Sequence, residues 1–322
     1  MASVLGVDVG GTKVAAAALE DGRACHAVEH PTALGGPEEL LEGIEAAVKE
    51  VTARAGEPDA IGIGVPSQVE FATGTVLSSV NVPLAGLALR EELGSRFGVP
   101  VFVDNDANCA GLAEARLVPD PPARHLVMIT LGTGVGGGVV IEGRIFRGAT
   151  GLGAELGHVV IDAGARGEQE DGDFPRPGSL EWFCSGTGLE REGTERARRD
   201  SESGLGRLLS KKGRVSGRDA AALAREGDAA ALELFGWLGR HLGVGVAGAV
   251  NTFEPEYVVI GGGLSRSADL FLDTTRAEAR RWALPALWER TSLRPAAGGA
   301  GAGVIGAGLL AVQELARTPD SS

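Results

Sequence analysis

The sequence predicts an α/β fold built from two domains. The chain has 322 residues, and a domain typically takes about 150. Strand-like and helix-like segments alternate along it, which is typical of the α/β class. A unit of strand, glycine turn and strand occurs near residue 10 and again near residue 135, which indicates a distant internal duplication.

The first half opens with a predicted hairpin, in which apolar runs at 4–9 and 14–19 flank Gly10-Gly11. A helix is predicted over 37–56, because Pro37 suits its first position, Gly56 suits its end, and apolar residues between them recur at helical spacing. The segments predicted next are a strand at 60–65, a helix at 89–97, a strand at 101–103 and a helix at 107–115.

The second half follows a candidate linker at 116–124, which holds three prolines and few apolar residues. A strand at 125–131, a glycine turn at 132–138 and a strand at 139–141 repeat the opening theme. The acidic segment 163–177 contains glycine and proline and predicts a loop. The remaining predictions are helices at 217–225 and 229–250 capped by Ser216 and Asp228, a strand at 257–260, and helices at 268–282 and 303–315.

Composition and charge exclude several classes of protein. The formal net charge of −13 argues against a nucleic-acid binder and against attraction to anionic membranes. Three widely spaced cysteines make a disulfide framework improbable, and the N-terminus lacks the basic and apolar regions of a secretory leader. The uncharged stretch 296–312 is rich in glycine, so we interpret it as a loop and a closely packed helix rather than a membrane span. We therefore expect a cytoplasmic protein.

Two glycine turns are candidates for phosphate binding. Asp8-Val9-Gly10-Gly11-Thr12 lets backbone N–H groups approach an anion, and Asp8 could hold Mg²⁺ through water. Residues 132–137 spell G-x-G-x-x-G, but a strand follows where a dinucleotide fingerprint needs a helix. A phosphate-binding turn is therefore the better interpretation of the second segment. The alternative for both turns is an ordinary hairpin without a ligand.

Three polar segments can support sugar chemistry. In Asp104-Asn105-Asp106 a carboxylate could accept a hydroxyl proton beside an amide, although such residues also cap helices. Glu155, His158 and Glu181 could hydrogen-bond adjacent sugar hydroxyls. The alternative for these three is an ordinary structural or surface position.

Together these segments resemble the signature motifs of the ROK sugar kinases (repressors, open reading frames, kinases). The matching segments, in chain order, are Asp8-x-Gly10-Gly11-Thr12-Lys13, 103–108, 131–138, 153–158 and 254–263. The resemblance implies the two-lobed actin/hexokinase-like fold, a ribonuclease H-like duplicated core with ATP in the cleft between lobes. The small lobe would comprise 1–118 joined by the C-terminal helix 303–316, and the large lobe 119–302.

The same resemblance assigns roles residue by residue. Asp106 would be the catalytic base that takes the proton of the sugar's 6-hydroxyl. The implied sugar ligands are Asn105, Glu155, His158, Glu181 and Asn81. The implied nucleotide contacts are Gly10, Gly11, Thr12, Thr133, Gly134, Gly261, Gly262 and Gly263, while Lys13 receives no role.

One segment departs from the family pattern. Most members carry a zinc knuckle of three cysteines between the His and the last sugar-binding Glu, and the three positions here are Gly172, Phe174 and Ser179. Structural zinc sites need four ligands, mostly cysteine and histidine, so no zinc is expected. We expect Pro175, Pro177 and burial of Phe174 to hold the loop instead.

The expected function is ATP- and Mg²⁺-dependent phosphorylation of a hexose 6-hydroxyl, with glucose as the substrate and glycolysis as the setting. Alternatives are an N-acetylmannosamine or N-acetylglucosamine kinase, a fructokinase, or a sugar-binding regulatory protein without catalysis. A polyphosphate donor ranks low because only short basic pairs occur. The expected partners are a sugar and a second copy of the chain, in a homodimer or homotetramer.

Overall fold

The computed structural model describes residues 2–117, 121–167 and 173–317. Gly172, one of the three knuckle positions, lies outside them. The described residues form two compact units. The first unit takes its residues from 1–128, 138–154 and 297–322, and the second from 129–137 and 155–296.

The elements up to residue 105 are β1 (Val4–Val9), β2 (Lys13–Glu20), β3 (Arg23–Pro31), α1 (Pro37–Ala55), β4 (Ala60–Val65), β5 (Ser67–Glu70), β6 (Thr75–Ser79), α2 (Leu89–Phe97) and β7 (Val101–Asn105). Five of these strands form the first sheet, in the order β3-β2-β1-β4-β7, and β5 and β6 pair separately. The strands β1, β4 and β7 are parallel, and their register aligns Asp8 with Gly64 and Gly64 with Asp104. Their carboxyl ends therefore lie along one edge, which is where ligands bind in open α/β sheets.

The elements from residue 106 onward are α3 (Asp106–Leu117), β8 (Leu126–Leu131), β9 (Val135–Ile141), β10 (Arg144–Ile145), α4 (Leu180–Cys184), α5 (Gly186–Arg199), α6 (Gly204–Lys212), α7 (Gly217–Arg225), α8 (Ala229–Phe253), β11 (Tyr257–Gly261), α9 (Ala268–Trp282), α10 (Pro285–Trp288), β12 (Ser292–Pro295) and α11 (Ala302–Leu315). The five strands among them form the second sheet, in the order β10-β9-β8-β11-β12. Each sheet thus places its opening strand between a following hairpin strand and a later strand, which supports the inferred duplication.

Glycine allows α11 to pack directly on the first sheet. A Cβ at Gly6 would come within 2.7 Å of the Gly308 nitrogen, and one at Gly62 within 2.7 Å of the Ala307 carbonyl carbon. The uncharged stretch 296–312 therefore contains a short loop followed by most of α11, which is packed against the strands as predicted. Among the described residues, no helix is long and apolar enough to cross a membrane.

The two compact units do not divide the chain at a single residue, and the predicted lobe boundary at residue 118 stays a prediction. Residues from 138–154 group with the first unit, where β9 packs closely on α3: a Cβ at Gly138 would approach the Ala107 carbonyl carbon to 2.9 Å. The predicted glycine turn at 132–138 is also shorter than expected, since β9 already begins at Val135.

Both predicted helix caps are confirmed. The Ser216 hydroxyl accepts the Asp219 amide of α7 at 3.2 Å, and the Asp228 carboxylate accepts the Ala231 amide of α8 at 2.9 Å. Each side chain satisfies an amide that the first turn of a helix leaves without a backbone partner.

Candidate active site

The first glycine turn, between β1 and β2, is held by Thr32. The Gly10 amide donates to the Lys13 carbonyl at 2.8 Å, and the Thr32 hydroxyl donates to the Gly10 carbonyl at 2.6 Å. Gly11 and Thr12 are exposed, so an anion can reach their backbone and the Thr12 hydroxyl. Lys13 forms an ion pair with Glu29 of β3, which gives this lysine a structural partner.

Asp8 is separated from this turn by one strand residue, Val9, and is half-buried. Burial raises the pKa of its carboxyl group, and the charge of Lys13 opposes the rise. Within the described residues, no cluster of three or more His, Cys, Asp or Glu could hold a metal. A single carboxylate nevertheless suits Mg²⁺, which takes few protein carboxylates and keeps several waters. Exposed Asn81 lies beside the turn, with its Cβ 3.8 Å from where a Gly11 Cβ would stand.

The segment Asn105–Asp106 joins β7 to α3, and its side chains bind the helix start. The Ala107 amide donates to Asn105 Oδ1 and to Asp106 Oδ1, both at 2.8 Å. The Asn105 amide nitrogen Nδ2 donates to the Ser67 carbonyl at 3.3 Å. Asp106 thus occupies the first position of α3, where the helix dipole favours a carboxylate. The capping interpretation of these residues is confirmed, and their catalytic role stays a prediction.

In the second unit, three predicted site segments meet at Val135. The Val135 amide donates to Glu181 Oε2 at 2.7 Å, and a Cβ at Gly134 would come within 3.1 Å of the Glu181 carboxyl carbon. A Cβ at Gly157 would overlap the Val135 carbonyl. The short 3₁₀ helix Leu156–His158 therefore lies against the second glycine turn, with Glu155 and His158 at its two ends.

Glu155 and His158 form a loose pair at this 3₁₀ helix. Glu155 Oε2 lies 4.0 Å from His158 Nε2, and the two side chains are 40% and 35% exposed. A ligand can therefore reach both. His158 Nδ1 is buried and has no hydrogen-bond partner among the described residues. Its imidazole stands edge-on to the Phe174 ring, with centroids 5.1 Å apart.

Gly261 is the last residue of β11, and Gly262 and Gly263 follow it. Gly262 has φ +80°, and a Cβ there would come within 2.5 Å of the Leu131 carbonyl oxygen at the end of β8. Gly263 lines a cavity of about 740 Å³, together with Thr133. The structure thus brings a predicted phosphate contact and a predicted nucleotide contact to one cavity.

Sequence reasoning missed the other wall of this cavity, which is the start of α5. The Gly186 amide donates to the Gly132 carbonyl at 2.8 Å, and the Thr187 hydroxyl donates to the Thr133 carbonyl at 3.1 Å. Arg191 lines the cavity with its guanidinium 3.7 Å from the Trp182 ring centroid. The signal available in the sequence was Ser185-Gly186, a cap residue followed by glycine at a helix start.

The predicted site residues divide between the two units. Asp8, Gly10, Gly11, Thr12, Asn81, Asn105 and Asp106 belong to the first, and Thr133, Gly134, Glu155, His158, Glu181, Gly261, Gly262 and Gly263 to the second.

The residues at the predicted knuckle positions do not fit zinc. Phe174 presents its ring to His158, and Ser179 is buried as the cap of α4, accepting the Trp182 amide at 3.2 Å. Burial raises the pKa of the Cys184 thiol well above its usual range, which disfavours the thiolate that zinc binds. The expected burial of Phe174 is wrong: the side chain is 63% exposed, because it lies on the surface against the imidazole and the Arg176 guanidinium.

We expect the purified protein to contain well under one zinc per chain. A zinc-selective chelator should leave activity unchanged while Mg²⁺ is in excess, because one imidazole without thiolates does not close a tetrahedral site. Elemental analysis of the protein before and after chelation measures this. One zinc per chain, lost together with activity, would contradict the expectation.

The chain is similar in sequence and in structure to known proteins. The model of the ROK family matches residues 4–314. A glucokinase of Streptomyces coelicolor is 35% identical over 99% of this chain and 99% of its own. The crystal structure of a ROK hexokinase from Thermus thermophilus is 33% identical, with a TM-score of 0.83 over 98% of this chain and 99% of that one.

A second similar structure was solved with ligands bound. A ROK family glucokinase from Streptomyces griseus, in complex with glucose and AMPPNP, is 32% identical to this chain. It covers 97% of this chain and 99% of its own, with a TM-score of 0.78.

Proposed function

The chain belongs to the ROK family, and from that premise we propose that it phosphorylates glucose at the 6-hydroxyl with ATP as the donor. The observation that carries the proposal is the convergence on Val135. One backbone residue joins the turn assigned to the phosphate with the Glu181 carboxylate and the 3₁₀ helix bearing Glu155 and His158. The similarity to glucokinases over nearly the whole chain supports the same assignment.

In the proposed reaction Asp106 accepts the proton of the 6-hydroxyl. The sugar oxygen bonds to the γ-phosphorus, the bond between that phosphorus and the β–γ bridging oxygen breaks, and ADP leaves with the electron pair. Phosphoryl transfer needs little covalent chemistry from the protein, so positioning and charge stabilisation dominate. The N–H groups and hydroxyls of Thr12 and Thr133 suit the phosphate oxygens.

Asp8 is the residue proposed to hold Mg²⁺ through water. When bound, the ion neutralises charge on the phosphates. The raised pKa of Asp8 reflects a half-buried carboxyl with one nearby cation, Lys13, which is itself paired with Glu29.

Sugar recognition is assigned to Asn81, Asn105, Glu155, His158 and Glu181. Glu181 already accepts the Val135 amide through Oε2, so Oε1 is the oxygen we assign to a sugar hydroxyl. This dual contact would tie the position of the sugar to the position of the glycine turn. Cytoplasmic location, a role in glycolysis and a homodimeric or homotetrameric state stay predictions.

Coupled ADP release across a panel of hexoses tests the proposal. Glucose should exceed N-acetylglucosamine, N-acetylmannosamine and fructose in kcat/KM, because a site built for hydroxyls penalises analogues that leave its polar groups unpaired. The matched blank is the Asp106→Asn variant with the same sugars. The proposal would be contradicted if an amino sugar were turned over about tenfold better than glucose, because one substituent in a binding pocket typically changes kcat/KM by at least about that factor. Sugar binding without turnover of any hexose would support the regulatory alternative.

A further inference from the structure

A buried chain of charges lies directly behind the Asn105–Asp106 segment. Arg147 Nε donates to Asp104 Oδ2 at 2.6 Å, and Arg147 Nη2 lies 3.2 Å from Glu314 Oε1. The side chains of Asp104, Arg147 and Glu314 are 3%, 12% and 10% exposed. Solvent screens such a pair weakly, so removing one partner leaves an uncompensated buried charge.

An aromatic ring completes the surroundings of Arg147. Its guanidinium carbon lies 3.5 Å from the centroid of the Phe71 ring. Arg90 lies 5.3 Å from the same centroid but donates to backbone carbonyls instead, those of Phe71 at 2.5 Å and Ala72 at 2.8 Å. The guanidinium groups of Arg90 and Arg147 therefore both lie against the Phe71 ring. Of the two, Arg147 is the one that donates to the Asp104 carboxylate.

The second carboxylate oxygen of Asp104, Oδ1, accepts hydrogen bonds from the segment that follows it. Asp104 Oδ1 accepts the Asn105 amide at 2.8 Å and Asn108 Nδ2 at 2.8 Å. Asn105 Oδ1 in turn accepts the Ala107 amide, next to Asp106. Hydrogen bonds to an ionised acceptor are stronger than those to a neutral one. The orientation of the Asp104 carboxylate thus bears on the placement of Asp106, two residues along the chain.

We propose that Arg147 is a positioning residue for the phosphoryl transfer: it holds the Asp104 carboxylate in place, and Asp104 fixes the Asn105–Asp106 segment against α3. Arg147 acts through Asp104 and touches neither substrate. This inference rests on the proposed function of Asp106 as the base. Nothing in the sequence pattern around Arg147 indicates the role, because the pair joins residues 43 positions apart.

The test is the kinetics of Arg147→Met and Arg147→Lys with glucose and ATP. Arg147→Met should lower kcat by roughly 10–100-fold, the scale expected when a catalytic group is misplaced by about 1 Å. The KM for ATP should change by less than about threefold, because an interaction that acts on the chemical step lowers kcat without weakening substrate binding. Arg147→Lys keeps the positive charge and should recover most of the lost kcat.

Arg90→Met is the matched control, since it removes from the same ring a guanidinium that donates to backbone carbonyls rather than to the Asp104 carboxylate. Its kcat should stay within about threefold of the wild type. A double-mutant cycle with Asp104→Asn adds a second readout. In the Asp104→Asn background, Arg147→Met should cost less than about threefold in kcat, because the two side chains act as one unit. Thermal melts check that each variant is folded.

Three outcomes would overturn the inference. They are an Arg147→Met kcat within twofold of the wild type, equal losses in Arg147→Met and Arg90→Met, or additive losses in the cycle. If the wild-type protein turns over glucose, any of these three outcomes contradicts the inference and leaves the proposed function intact. Absence of wild-type turnover would contradict the proposed function and the inference with it.

Discussion

Replacing Asp106 by asparagine should nearly abolish turnover while leaving glucose binding within a few-fold of the wild type. The substitution is close to isosteric and keeps one acceptor oxygen, so the introduced side chain can still accept the Ala107 amide that Asp106 Oδ1 binds at 2.8 Å. An amide cannot take a proton, and a general base contributes typically about 10²–10⁴-fold to the rate. The loss should therefore appear in kcat rather than in the dissociation constant for glucose.

Steady-state kinetics and calorimetric titration of glucose measure the two quantities separately. Asp21→Asn is the matched control, because Asp21 is an exposed aspartate at the β2–β3 turn of the same unit, with φ +48°. Asparagine tolerates that backbone conformation, so the control should keep full activity. If Asp106→Asn keeps more than about a tenth of the wild-type kcat, Asp106 is not the base.

Replacing Gly138 by alanine should lower kcat by about 10²-fold, the second largest effect expected. Gly138 lies in β9, and a Cβ there would overlap the Ala107 carbonyl oxygen and approach its carbon to 2.9 Å. Ala107 follows Asp106 in the first turn of α3. Because both contacts are backbone atoms, α3 must shift to admit the methyl group, and Asp106 would shift with it.

Gly43→Ala is the control for this prediction. Gly43 lies in the interior of α1, and a Cβ there meets no atom within 4 Å. Alanine at that position should leave kcat unchanged and raise the free energy of unfolding by about 0.5–1 kcal/mol. Overpacking at Gly138 also destabilises, by about 1–3 kcal/mol, so kcat is measured where the melts show a folded protein. An unchanged kcat in folded Gly138→Ala would show that the contact does not position Asp106.

The elements that the sequence predicted well are those with strong local signals. Pro37 and Gly56 bracket α1 closely, and the apolar run at 60–65 is a strand buried throughout. The hairpin strand β3 was missed because, among its nine residues, Val28 is the one that is buried, so no alternation marks it. The helix α5 was missed because its charged residues and three glycines hide its narrow apolar face.

For the candidate site, the sequence indicated the residue types but not the contacts between distant segments. The glycine turns, Asp106 and the Glu155–His158 pair could be found because each combines chemistry with a local pattern. The contact of Glu181 with Val135 spans 46 positions, and that of Arg147 with Asp104 spans 43. Such contacts depend on how strands and helices pack, and one sequence carries no direct record of that packing.

The central claim, transfer of the ATP γ-phosphoryl group to the glucose 6-oxygen, can be measured directly. The protein is incubated with glucose and ATP labelled in its γ-phosphate, and the product is identified by phosphorus–proton correlation in NMR. The account predicts labelled glucose 6-phosphate and ADP in equal amounts, with no transfer to 6-deoxyglucose. Labelled inorganic phosphate beside unchanged glucose, or a phosphate on another hydroxyl, would contradict it.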